Sequence, residues 1–134
     1  LSYYQRLNKA ATDEATYDVL QALTDLYGTP PGEVENLVEL LLVKQRLGRI
    51  GASNLDFGGE TKTMPARVVI RFDAEDSKVD PAKLVRWVQD QPSMRKMVPD
   101  GRLMLYLVPY QDPREILQQA KGLLGEIIVM GLDP

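Results

Sequence analysis

The apolar residues of this chain change their spacing at Gly51. Before it they recur every three or four residues, the period of one helix face, and over the next twenty or so residues they alternate, the period of a strand covered on one side. A pattern with one period does not settle into the other structure, so the chain is committed to opening with helices and building a sheet later.

Residues 2 to 11 carry Tyr3, Tyr4, Leu7, Ala10 and Ala11 at helical spacing, with Ser2 available as a cap and the two tyrosines expected to pack inward. Thr12 followed by Asp13 and Glu14 reads as an N-cap and an acidic first turn. Gly28, Pro30 and Pro31 stop that second helix near Tyr27. Its apolar face is expected to comprise Thr16, Val19, Leu20, Leu23, Leu26 and Tyr27, and opposite them Glu14, Asp18, Gln21 and Asp25 form an acidic stripe. The bland explanation of such a stripe is a solvated helix face. A third helix opens at Pro31 and runs to Gly48 or Gly51. Its run Leu40-Leu41-Leu42-Val43 is apolar around more of the circumference than a surface helix needs, so this helix is expected at the core, with any excess meeting a neighbouring domain.

Beyond Gly51, Asn54 to Phe57 and Ala66 to Phe72 read as strands around a turn at Gly58-Gly59. Asp80-Pro81 opens a fourth helix that Pro92 ends, with Leu84, Val85, Trp87 and Val88 as its buried side. Met94 to Val98 and Leu103 to Val108 flank Pro99-Asp100-Gly101, the chemistry of a hairpin turn. Asp112-Pro113 opens a final helix through Ile116, Leu117, Ala120, Leu123 and Leu124; residues 127 to 130 fit a last helical turn or a short strand equally well. With no repeat or linker to divide it, residues 1–134 read as one α+β domain: N-terminal helices, then a small, mostly antiparallel sheet covered by helices, about five helices and four short strands in all.

Composition excludes most chemistry. The chain has no cysteine and no histidine, which removes thiolate nucleophiles, imidazole bases and the common zinc ligands, and no paired-acid, phosphate-cradling or nucleophile-elbow motif organises what is left. No catalytic residue and no metal site is therefore expected. A net charge of −3 argues against independent nucleic-acid binding, and the densest basic stretch, Lys44, Arg46 and Arg49, reads as cations complementing a helix C-terminus. The absence of a charged-then-apolar leader and of an apolar run near eighteen residues leads to the expectation of a soluble, cytoplasmic fragment of a longer protein.

Several short features resemble one family. Tyr3-Tyr4 before Arg6-Leu7, then Leu23, Asp25 and Tyr27-Gly28 before Pro31, then Leu47-Gly48 and Ile50, followed later by VDPAKLVRWVQDQP, resemble the C-terminal domain of bacterial transcription-repair coupling factors over nearly the whole chain. The resemblance implies a regulatory end piece of an ATP-driven DNA translocase that displaces stalled RNA polymerase at lesions and recruits nucleotide excision repair. ATP and magnesium would be bound by motor domains elsewhere in such a parent, and this domain would hold no cofactor. The family's C-terminal domain is understood as an autoinhibitory clamp on the parent's UvrB-like module, masking the surface that UvrA needs. Two acidic contact positions of the family's second helix fall here on Asp25, still acidic, and on Ala22. Glu14, Asp18 and Asp25 are thus the candidate interface residues, with RNA polymerase and DNA as indirect partners and no membrane involved. The alternative is an accessory nucleic-acid-binding module of the translocase.

Overall fold

The computed structural model describes residues 3–10, 12–29, 32–73 and 75–132, with the backbone alone for Tyr3, Tyr4 and Asn8. The expected cap at Ser2, the packing of Tyr3 and Tyr4 and the helix opening at Pro31 fall outside these descriptions. Three helices come first, α1 (Tyr3–Lys9), α2 (Asp13–Tyr27) and α3 (Gly32–Ile50). They are followed by β1 (Ala52–Gly58), β2 (Arg67–Phe72), α4 (Pro81–Asp90), β3 (Arg95–Val98), β4 (Arg102–Tyr106) and α5 (Arg114–Gly131). The chain forms two compact units, residues 1–45 and 46–134, and α3 supplies residues to both.

In the first unit the start of α2 is fixed by local chemistry. The Thr12 side chain accepts a hydrogen bond from the Ala15 amide at 3.0 Å, Asp13 and Glu14 sit against the positive end of the helix dipole, and Gly28 ends the helix at φ 84°. The core joins Leu7 of α1, Val19 of α2 and Val38, Leu41 and Leu42 of α3, with Leu20, Leu23 and Leu37 packed around it. A polar contact sits beside it. Thr16 is fully buried; its hydroxyl donates to the Thr12 carbonyl and accepts from Gln45 Nε2 at 2.8 Å, while the same Gln45 nitrogen donates to the Ala10 carbonyl. One amide thereby ties the end of α1 to the first turn of α2. Of the apolar face expected for α2, Leu26 and Tyr27 are instead exposed, because the helix outruns the partners that cover Val19 and Leu23.

In the second unit the four strands pair antiparallel in the order β1-β2-β4-β3. The cross-strand pairs Val68↔Leu105 and Ile70↔Leu103 place four fully buried aliphatics on one face. That face is covered by α4, through Leu84 and Trp87, and by α5, through Ala120, Leu124 and Ile127. Arg95 of β3 lies on the same side and bonds to both helices. The other face of the sheet stays open. Val85, expected inside, is exposed on α4, since Leu84 and Trp87 already fill the side facing the sheet.

The two turns behave as glycine dictates. Asp100 and Gly101 hold φ of 67° and 70°, two successive left-handed residues that reverse β3 into β4. Gly51 stops α3 at φ 73°, and a Cβ there would lie 1.8 Å from the Asp76 carbonyl oxygen. The segment left open between helix and strand, residues 127 to 130, is helical: α5 runs to Gly131, and beyond it Leu132 bridges to Val79 while the Asp80 amide donates to the Gly131 carbonyl at 2.7 Å. Nor does the basic stretch behave as a uniform helix end. Arg46 reaches the Lys121 carbonyl of α5 at 2.6 Å, whereas Lys44 and Arg49 are exposed.

Candidate functional site

The site expected from the sequence is a helix face, and the structure brings its members together on α2. Glu14, Asp18, Gln21 and Asp25 are all exposed along one side, opposite buried Thr16 and Val19. Gln21 Nε2 donates to Asp25 Oδ1 at 2.9 Å, an i, i+4 contact that orients the carboxylate. Ala22, the second position mapped from the family pattern, is half-buried and brings no charge to this side.

Helix stability accounts for one end of the stripe and not for the other. Glu14 favours the positive N-terminal end, but Asp25 lies in the last turn, where a negative charge opposes the dipole and no basic residue compensates it.

Tyr17 is the member that the reading of the stripe missed. It follows Glu14 by three residues and precedes Gln21 by four, so the spacing that defines the stripe also sets this ring beside it, and it is 47% exposed. Leu26 and Tyr27 extend the exposed surface at the end of the helix. The arrangement offers carboxylates flanked by aromatic and apolar surface, which suits a basic protein partner: cations for the acids, and ring area for the stems and guanidinium planes of lysine and arginine.

Among the described residues no cluster of three or more acidic side chains could hold a metal ion, and no helix is long and apolar enough to cross a membrane. A cleft of about 580 Å³ in the second unit is walled mainly by Pro65, Met94, Leu107 and Pro109, with Glu60 and Tyr110 as its polar members.

The TRCF domain model matches residues 1–84, which takes in the whole first unit, β1, β2 and the start of α4. The chain belongs to the TRCF domain family. It is 26% identical over 127 residues to the transcription-repair-coupling factor of Myxococcus xanthus, covering 95% of this chain and 10% of that protein. It is 29% identical over 103 residues to that of Escherichia coli (strain K12), covering 77% and 8%. The fold agrees with a crystal structure of the C-terminal domain of transcription-repair coupling factor, with a TM-score of 0.69 at 16% identity, over 95% of this chain and 76% of that one. The chain thus spans about a tenth of the length of these curated TRCF relatives, and the α2 face lies inside the segment that defines the family.

Proposed function

We propose that this chain is the regulatory C-terminal domain of a bacterial transcription-repair coupling factor, and that residues 1–134 act as one non-catalytic piece. In this reading it packs on the UvrB-like module of its own parent and masks the surface that UvrA uses. The parent is an ATP-dependent DNA translocase of the bacterial cytoplasm that displaces stalled RNA polymerase, with ATP and magnesium held by its motor domains. The observation that carries the proposal is the α2 face, where Glu14, Asp18 and Asp25 stand exposed beside Tyr17 in the family-defining segment.

The physics suits a releasable clamp. Charge pairing across a solvated interface contributes orientation and salt sensitivity more than affinity. A contact worth about 3 kcal/mol within one chain favours the closed form by roughly a hundredfold, and a competitor with a comparable preference for the open form reverses it.

Calorimetric titration of the chain into the UvrB-like module of its parent, at low and moderate salt, is the test. Saturable binding that weakens with salt and falls at least about tenfold in Asp18→Lys/Asp25→Lys is the expected result. Binding unaffected by that double substitution would remove the α2 face from the interface. UvrA binding to the intact parent that stays the same after the same substitution would remove the clamp.

A further inference from the structure

The open face of the sheet is cationic in a chain whose net charge is −3. Strand alternation gathers onto it four residues that lie far apart in the sequence: Arg67 and Arg71 of β2, Arg102 of β4 and Lys96 of β3. Asp56 of β1 is the one acid among the strand residues of this face. Arg71 and Arg102 are direct cross-strand partners, with Cβ atoms about 5 Å apart, a like-charged juxtaposition that weakens a sheet unless an anion lies over it. Arg67 stands four residues along the same strand, about 13 Å away.

The guanidinium groups of Arg67 and Arg102 are positioned, not loose. Arg67 Nη1 donates to the Gly59 and Pro65 carbonyls at 3.3 Å each, and Arg102 Nε donates to the Pro99 carbonyl at 3.1 Å. Each side chain is anchored by one nitrogen at a turn, and its remaining donors stay available to an acceptor above the sheet. Between the cations the face is only half-buried: Val69 and Met104 are cross-strand partners at its centre, and Tyr106 is the partner of Arg67.

We propose that this face binds single-stranded nucleic acid. Guanidinium groups separated along β2 match a repeating phosphodiester, and Tyr106 with Met104 and Val69 provides the apolar floor on which bases stack without sequence preference. A four-stranded surface admits splayed bases, whereas a duplex presents its bases inside grooves too narrow for a surface four strands wide. An acidic polypeptide would satisfy the cations but leave the stacking floor without a matching group. This site shares no residue with the α2 face, belongs to the second unit, and does not depend on the clamp.

The test is fluorescence anisotropy of a labelled oligothymidylate of roughly ten nucleotides with the 134-residue chain, alongside a duplex and a labelled polyglutamate peptide. Expected are binding of the single strand that weakens as salt rises, weaker binding of the duplex, and a loss of at least about tenfold in Arg71→Glu/Arg102→Glu. Arg71→Lys/Arg102→Lys should retain most of the affinity. The charge-matched control is Lys83→Glu/Arg86→Glu, two exposed cations of α4 on the opposite side of the sheet, which changes net charge equally and should lose far less. Circular dichroism establishes that each variant is folded, and Arg71→Gln/Arg102→Gln replaces the charge reversal if that one is not. No binding of the single strand, equal loss in the α4 control, or preference for polyglutamate or duplex would each overturn the proposal.

Discussion

Arg95 lays its guanidinium carbon 3.7 Å from the centre of the Trp87 ring and donates from Nη1 to the Trp87 backbone carbonyl at 2.7 Å. The same residue is thus stacked on and hydrogen-bonded to one partner. Arg95 is only 7% exposed, and its outward nitrogen reaches Glu126 at 3.4 Å, whose side chain is 54% exposed. A buried cation is tolerated here because the ring face, a carbonyl and a carboxylate share its charge.

Removing Arg95 should therefore cost far more than removing its ionic partner. Arg95→Ala leaves a void beside Trp87 and an unsatisfied buried carbonyl, and is expected to lower stability by about 2–4 kcal/mol. Glu126→Ala should cost less than about 1 kcal/mol, since the pair is long and half in water. Urea denaturation followed by circular dichroism decides it; equal losses would mean that the ion pair, not the stacked and buried contact, carries the stabilisation.

In the first unit, Thr16→Val removes the hydroxyl that receives Gln45 and donates to the Thr12 carbonyl, leaving Gln45 Nε2 with the Ala10 carbonyl as acceptor for one proton and none at Thr16 for the other. A loss of about 1–2 kcal/mol is expected, with faster amide hydrogen exchange concentrated in the first turn of α2. Exchange that rises evenly over the whole chain would contradict a local role.

Two glycines near the end of α3, in the second unit, should respond with opposite sign. Gly51→Ala forces a Cβ against the Asp76 carbonyl at a left-handed residue and should destabilise by at least about 2 kcal/mol. Gly48→Ala, three residues earlier in helical α3 with open space around it, should stabilise by up to about 1 kcal/mol. Thermal melts of the two variants measure both effects, and a stable Gly51→Ala chain would show that the backbone there is free to move.

For α2, stability and docking should separate. Asp25→Lys puts a cation where the helix dipole favours one, at the loss of the exposed contact from Gln21, so the melting temperature is expected to hold or rise. Affinity for the UvrB-like module should fall in the same variant. If both fall together, Asp25 is a structural residue and the acidic face loses its main member.

The caps and turns of this fold were legible because they depend on neighbours in sequence: Thr12 before α2, Asp80-Pro81 before α4 and Asp100-Gly101 between β3 and β4 each act within a few residues. The acidic stripe was legible for the same reason, being one helix face. Leu26, Tyr27 and Val85 were misplaced because periodicity states which side of a helix is apolar but not how far its cover extends. Arg95 was hidden among ordinary strand residues, since its burial depends on Trp87 and Glu126 arriving from two other elements. The cationic sheet face escaped notice because Arg67, Arg71, Lys96 and Arg102 become neighbours only through strand register, and a net charge of −3 averages them away.

Trp87 is the chain's one tryptophan, and it is 5% exposed beneath a guanidinium in the sheet-containing unit. The molecule therefore carries an optical reporter on one side of its internal division and none on the other, where the aromatic signal comes from tyrosine. Indole emission records the unfolding of residues 46–134, while far-ultraviolet ellipticity weighs both units together. The gap between the two denaturation curves is then a direct reading of whether the family-defining helices melt with the sheet or before it.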